Sequence, residues 1–286
     1  MPSCVAALPM YDLPELAQAN DALWSAIAQR LQARGVEAPV ELTRDRPLDE
    51  LWLDPELLMA QTCGYPLVTR LAGRVRLLAT PSYQAEGCSG PLHRSAIVVR
   101  RDDPATSLAD LFNRRCVINS PDSNTGMNLL RAAVAPFAQR GRFFGDVSVS
   151  GAHSASAEAV ATDEADVAAI DAVTWAHLRR FRPGVTDALR VLAWTAASPG
   201  LPLISARTTS RTILRTLRRV LFEVAADPAL REARAELRLT GFYLLPRSKY
   251  QAITRLAASP GGAQRRSTSA PRPGNTRPTL ASRYAP

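Results

Sequence analysis

Short apolar runs alternate with helical patterns along most of this chain, and the series starts over near residue 100. The first series opens with the strand pattern V-A-A-L-P-M-Y. A helical pattern follows, with apolar residues at Leu16, Leu23, Trp24, Ile27 and Leu31 spaced to share one face. Pro14 stands near its start and Gly35 at its end. The runs E-L-T, L-L-M-A-Q-T-C-G, V-R-L-L-A-T-P-S-Y and S-A-I-V-V-R read as further strands. The second series begins with the short helix S-L-A-D-L-F-N, capped by Ser107, and the strand C-V-I-N. A helix over about 126–137, the strand V-S-V-S-G and the helix S-A-S-A-E-A-V-A come next, with Ser154 available as its cap. The strand D-V-A-A-I-D, the helix A-V-T-W-A-H-L-R-R and the strand L-R-V-L-A-W-T complete it. P-L-I-S-A returns as a strand, and helices near 208–226, 228–237 and 247–257 close the folded part.

Such alternation implies α/β layers with mainly parallel sheets. The strands are too many for one simple sheet, so the expected fold is α/β with two lobes. Residues 5–100 plus 195–257 would form the first lobe, and 101–194 a second lobe inserted into it. Ligands of open α/β sheets bind beyond the carboxyl ends of the strands. With two lobes, those ends face each other across a cleft.

Residues 259–286 are rich in Pro, Gly, Ser and Arg, with five arginines and no acid, and read as a disordered basic tail. Without that tail the formal charge falls from +9 to +4, the five arginines accounting for the difference. A mildly basic body suits an anionic ligand, and no nucleic-acid partner is expected. The N-terminal sequence M-P-S-C-V-A-A-L-P-M has no basic n-region, and its apolar run Val5 to Leu8 is short for a signal peptide. No apolar run is long enough to predict a transmembrane helix. Taken from this start, the chain would be cytoplasmic. Cys4, Cys63, Cys88 and Cys116 have no C-x-x-C spacing, which argues against a zinc site, and no metal or other cofactor is expected. Cys116 reads as a buried thiol in a strand. Cys63 and Cys88 lie in Gly-containing loops beside strands and could pair in an oxidising compartment.

The strand ends supply the candidate site. Strand one ends at Tyr11 and Asp12. Tyr65 follows Q-T-C-G. Ser123, Asn124 and Thr125 follow C-V-I-N-S-P-D, with Gly126 where a close backbone approach is needed. His153 follows V-S-V-S-G-A, and Asp171 ends V-A-A-I-D. Hydroxyls, an imidazole, a phenol and a free helix start are anion-binding chemistry. Each residue also has a plain structural reading. Ser, Asn, Thr and Asp before helices are ordinary N-caps, a lone His is commonly structural, and a Tyr can pack at a lobe edge. Their joint placement on one rim is what distinguishes the two.

Q-T-C-G-Y-P, P-D-S-N-T-G-M-N, G-A-H and A-A-I-D-A-V-T-W, in this order, resemble the phosphate/phosphite/phosphonate substrate-binding proteins of ABC transporters. These are PhnD-type members of the type II, two-lobed periplasmic-binding-protein superfamily, and the resemblance covers about residues 5–255. It implies a binding protein rather than an enzyme. A small phosphorus oxyanion (phosphonate, phosphite or phosphate) would be the ligand, an ABC permease the partner, a monomer the state and the periplasm the location. Ser123, Asn124 and Thr125 would hold the phosphoryl oxygens, with His153 a further donor, Asp171 the pocket carboxylate and Tyr65 a wall hydroxyl; Tyr11 and His93 complete the candidate ligand-binding set. His93 stands where many relatives carry a tyrosine, and Asn124 where the family often has a hydroxyl. Two alternatives stay open. One is a cytosolic anion sensor without a permease, and the other an enzyme on a two-lobed anion-binding fold.

Overall fold

The computed structural model of the protein describes residues 4–257, so the expectation of a disordered 259–286 tail lies outside the described residues. The first lobe is built on a five-stranded sheet in the order β1-β2-β12-β3-β13. Its strands are β1 (Val5–Ala7), β2 (Leu57–Gln61), β3 (Val75–Tyr83), β12 (Leu203–Ala206) and β13 (Leu239–Tyr243). Side chains alternate across it as a pleated strand requires. Ala6 joins the apolar layer under the long helices α1 (Ala17–Gln32) and α8 (Arg211–Ala226). Val5 and Ala7 face the other layer, which holds α2 (Leu48–Trp52), α3 (Gly64–Val68), α10 (Arg247–Tyr250) and α11 (Ala252–Ala257). The predicted stripe Leu16, Leu23, Trp24, Ile27 and Leu31 is buried throughout. Beside α8 lies the short α9 (Arg231–Glu236).

The second lobe carries a sheet in the order β10-β6-β9-β7-β8. These are β6 (Ser95–Arg100), β7 (Arg115–Ile118), β8 (Asp146–Val149), β9 (Val167–Asp171) and β10 (Leu189–Trp194). Its helices are α4 (Leu129–Val134), α5 (His153–Ala161), α6 (Ala172–Phe181) and α7 (Pro183–Thr186). Ile97 and Val99 of β6 enter one apolar layer and Ala96 and Val98 the other, so this strand is covered on both faces.

Three expectations are corrected. S-A-I-V-V-R belongs to the second sheet, paired with β9 and β10, so the chain crosses before it rather than after residue 100. The sheets are mixed rather than mainly parallel. β1–β2, β7–β8 and β7–β9 are parallel, while β6, β12 and β13 run against their neighbours; β6 and β12 are the first long strands after the two lobe crossings, and β13 follows β12 within the first lobe. E-L-T forms no strand. Only Thr43 N reaches the first sheet, donating to the Ala6 carbonyl at 2.8 Å.

The two crossings are tied to each other. β4 (Cys88–Ser89) and β5 (Leu92–His93) in the outgoing crossing and β11 (Ser198–Pro199) in the returning one form a small antiparallel sheet, β11-β5-β4. His93 lies opposite both Cys88 and Ser198 in it. Cys63 and Cys88 are free thiols, and the expected pairing is not formed. Cys63 Sγ instead accepts a hydrogen bond from Asn124 N at 3.3 Å, while Cys88 is held in the crossing sheet. Burial raises the pKa of both thiols, that of Cys88 to about 12.

A candidate anion-binding cleft

A cleft of about 550 Å³ lies between the lobes. Tyr11, Asp12, Ser123, Thr125, His153 and Asp171 all line it, as the strand-end argument requires. Three other expected residues lie elsewhere. Tyr65 packs against the apolar layer around α3. Asn124 turns away, donating from Nδ2 to Ser198 Oγ at 3.0 Å and joining the second lobe to the crossing. His93 is fully buried behind Asp171, with its Nδ1 3.8 Å from Oδ2. Gly200 lets that ring in, since a Cβ there would fall 2.6 Å from His93 Nε2.

The turn P-D-S-N-T-G-M-N folds as a π-helical turn over Asn124–Asn128 that feeds α4. Such a turn widens the helix start and is common at functional sites. Ser123 caps it, accepting from Gly126 N at 2.9 Å. Thr125 Oγ1 lies 3.0 Å from His153 Nε2. Gly126 is needed because Asn119 presses on its Cα. A Cβ there would sit 1.8 Å from Asn119 Oδ1 and 3.0 Å from His153 Cε1.

α5 begins one residue earlier than its sequence suggests. Ala152 is the N-cap, no side chain caps the helix, and Ser154 lies inside the first turn on the cleft wall. An uncapped helix start offers its N–H groups and the positive end of the dipole to an anion. His153 Nδ1 is buried without a hydrogen-bond partner. Burial lowers the pKa of this imidazole, with Asp171 opposing, so the neutral ring is favoured.

Asp171 divides its two oxygens. Oδ1 caps α6, accepting from Val173 N at 2.9 Å and Thr174 N at 3.3 Å, and also accepts from Tyr11 Oη at 2.9 Å. Oδ2 is buried and has no hydrogen-bond partner. Burial works to raise this carboxyl's pKa. The His93 ring, His153 and the Tyr11 hydroxyl outweigh it, and the pKa is held below the ordinary value. The N-cap reading of Asp171 is therefore right for one oxygen, while the other, 3.8 Å from His93 Nδ1, belongs to an ionised carboxylate on the cleft wall.

Sequence reasoning missed Asn119, Ser120, Trp52, Arg70 and His177, which also line the cleft. Asn119 directly ends C-V-I-N and was visible in principle. Arg70 follows a five-residue helix with no motif around it. Its guanidinium lies over the Trp52 ring at 5.1 Å, pairs with Asp49 and approaches Asp122 of the second lobe at 3.8 Å. Among the described residues there is no group of three or more His, Cys, Asp or Glu placed to hold a metal ion, and no helix is long and apolar enough to cross a membrane.

Known proteins share this architecture. Residues 5–250 match the model of a family described as ABC transporter, phosphonate, periplasmic substrate-binding protein. PhnD1 from Prochlorococcus marinus, solved with methylphosphonate, superposes with a TM-score of 0.72 at 14% identity, covering 90% of this chain and 98% of that one. The binding-protein component of an ABC phosphonate transporter (PA3383) from Pseudomonas aeruginosa gives 0.69 at 17% identity, covering 89% and 85%. XAC2383 from Xanthomonas citri, bound to chloride, gives 0.69 at 18%, covering 90% and 96%. No curated protein matches the sequence.

Proposed function

The chain belongs to the phosphonate-binding family of periplasmic ABC-transporter substrate-binding proteins, and from that premise we propose that it captures a small phosphorus oxyanion between its lobes for delivery to a permease. The ligand would be bound and released unchanged. The observation that carries this reading is the ionised carboxylate of Asp171 on the wall of the cleft. An anion pocket that also holds an ionised carboxylate favours an anion able to donate a proton. Phosphate, phosphite and phosphonate monoanions have that P–O–H proton, whereas sulfate and sulfonates do not. Against Oδ2 a sulfonate would set acceptor against acceptor, at a cost of a few kcal/mol.

The other oxygens of the ligand would meet the uncapped start of α5, the hydroxyls of Ser123 and Thr125 and the His153 ring. Micromolar binding requires about 8 kcal/mol. Hydrogen bonds to charged groups contribute roughly 1.5–3 kcal/mol each, and a helix N-terminus about 0.3–2 kcal/mol. Four or five such contacts, less the cost of immobilisation and closure, reach that range.

A thermal-shift panel of phosphate, phosphite, methylphosphonate, 2-aminoethylphosphonate, sulfate and taurine tests the proposal. A ligand at a hundred times its Kd should stabilise by about 2.7 kcal/mol, a rise of several degrees for a domain of this size. A shift with a phosphorus compound that Thr125→Ala abolishes supports the reading. A folded protein that responds to none of them, or equally to sulfate, overturns it.

A further inference from the structure

The polar and apolar walls of the cleft belong to different lobes. Asn119, Ser120, Ser123, Thr125, His153 and Ser154 all come from the second lobe. Met10, Leu13, Leu48, Trp52, Pro66 and Leu201 come from the first lobe and the crossing beside it. The charged groups on the first-lobe side are already taken. Asp12 accepts from Arg44 Nε at 2.7 Å and from Asn20 Nδ2 at 2.9 Å, and Asp49 is paired with Arg70. The Tyr11 hydroxyl is committed to Asp171 at 2.9 Å. One wall thus presents hydrogen-bonding groups, and the opposite wall presents apolar surface beside charges held in ion pairs.

The cleft is also large for a bare anion. Its volume of about 550 Å³ corresponds to room for on the order of eighteen waters at about 30 Å³ each. A methylphosphonate has five non-hydrogen atoms and would replace only a few of them. Met10, Leu13 and Leu48 offer apolar surface to the remaining space, and against such surface water gains least and a hydrocarbon gains most.

Resting on the oxyanion reading above, we propose that the ligand is an amphiphilic phosphorus oxyanion. Its phosphoryl head sits on the second lobe, and an extended uncharged organic substituent lies along the apolar wall of the first. The substituent closes the lobes by replacing water between them, so chain length contributes to affinity directly.

Calorimetric titration of the full chain with methyl-, propyl- and hexylphosphonate tests this. A fully buried methylene tightens binding by about fourfold, and lost chain freedom reduces that to about twofold. The hexyl compound is therefore expected to bind at least about thirtyfold tighter than the methyl compound. Leu48→Ser, at a residue exposed enough to tolerate the change, should weaken the hexyl compound two- to fourfold and leave the methyl compound unchanged. Equal affinities across the series, a fall with length, or equal weakening of both ligands by Leu48→Ser would overturn the inference while leaving the oxyanion reading intact. No binding by any phosphonate would overturn both.

Discussion

Tyr11, in the segment that follows β1 in one lobe, donates a hydrogen bond of 2.9 Å to Oδ1 of Asp171 in the other lobe. Both are buried, and the bond ties one lobe to the other. Tyr11→Phe should therefore weaken ligand binding by favouring the open form. A hydrogen bond to a charged group contributes about 1.5–3 kcal/mol, so Kd should rise by roughly ten- to a hundredfold. Isothermal titration measures the rise, and an unchanged Kd would show that closure does not depend on this pair.

Asp171→Asn keeps an acceptor for the cap and the Tyr11 hydroxyl but replaces the carboxylate with a neutral amide. Discrimination between phosphonate and sulfonate should shrink by at least about tenfold. Competition between methylphosphonate and methylsulfonate reads this ratio. The same carboxyl has a depressed pKa in the folded state. Its stabilisation is present above the unfolded value of about 3.9 and is lost as pH falls through the folded value. The variant should accordingly show a shallower loss of stability below about pH 4.

His177 lines the cleft with both ring nitrogens unpartnered. Burial, reinforced by Arg238 and Arg180, lowers its pKa to about 4. The unfolded chain takes up this proton near pH 6.5 and the folded protein does not until about pH 4. Folding stability should fall across that window, by about 2 kcal/mol at pH 5 from this group. In His177→Phe the melting temperature should depend less on pH between 6.5 and 4. If the slopes match, the ring is protonated in the folded state.

Gly126→Ala should be destabilising beyond the usual helix substitution. Its methyl would overlap Asn119 Oδ1, and overpacking of this kind costs about 1–3 kcal/mol. The double variant with Asn119→Ala should recover most of that loss in chemical denaturation, a non-additivity expected of residues in contact.

Arg70 links Asp49 of its own lobe to Asp122 of the other. The pair to Asp122 is partly exposed and worth about 0.2–1 kcal/mol. Asp122→Ala should raise Kd by up to about fivefold, and the difference from wild type should fade in high salt. A salt-independent effect would mean that Asp122 acts through the turn it begins.

Much of this was legible in the sequence. The repeated strand–helix series carried the two lobes, because β6 and β9 are covered on both faces and must be continuously apolar. The strand-end pattern singles out Tyr11, Ser123, Thr125, His153 and Asp171, and the structure places all of them on the wall of the cleft. What escaped depends on rotamer and long-range packing. Asn124 follows a capping serine in the turn, yet its side chain points to Ser198, which is 74 residues away. His93 and Tyr65 also follow or sit near strand ends, but one is sealed behind Asp171 and the other turned into the first lobe. The sequence puts the crossing one strand later than the structure does, because S-A-I-V-V-R is apolar enough for either sheet. The division of Asp171 into one oxygen that caps α6 and one that faces His93 lies beyond any sequence pattern.

The small sheet joining the two crossings has a mechanical consequence. Two separate tethers would let one lobe twist, slide and swing relative to the other. Hydrogen-bonded into a ribbon, they act as a single fulcrum that leaves swinging as the easy motion. His93 is part of that ribbon and lies 3.8 Å from Asp171, so the carboxylate sits close to the pivot, whereas Asp122 and Arg70 stand out on the lever arms. A small rotation close to Asp171 is thereby magnified into a wide opening at the rim, where Asp122 meets Arg70.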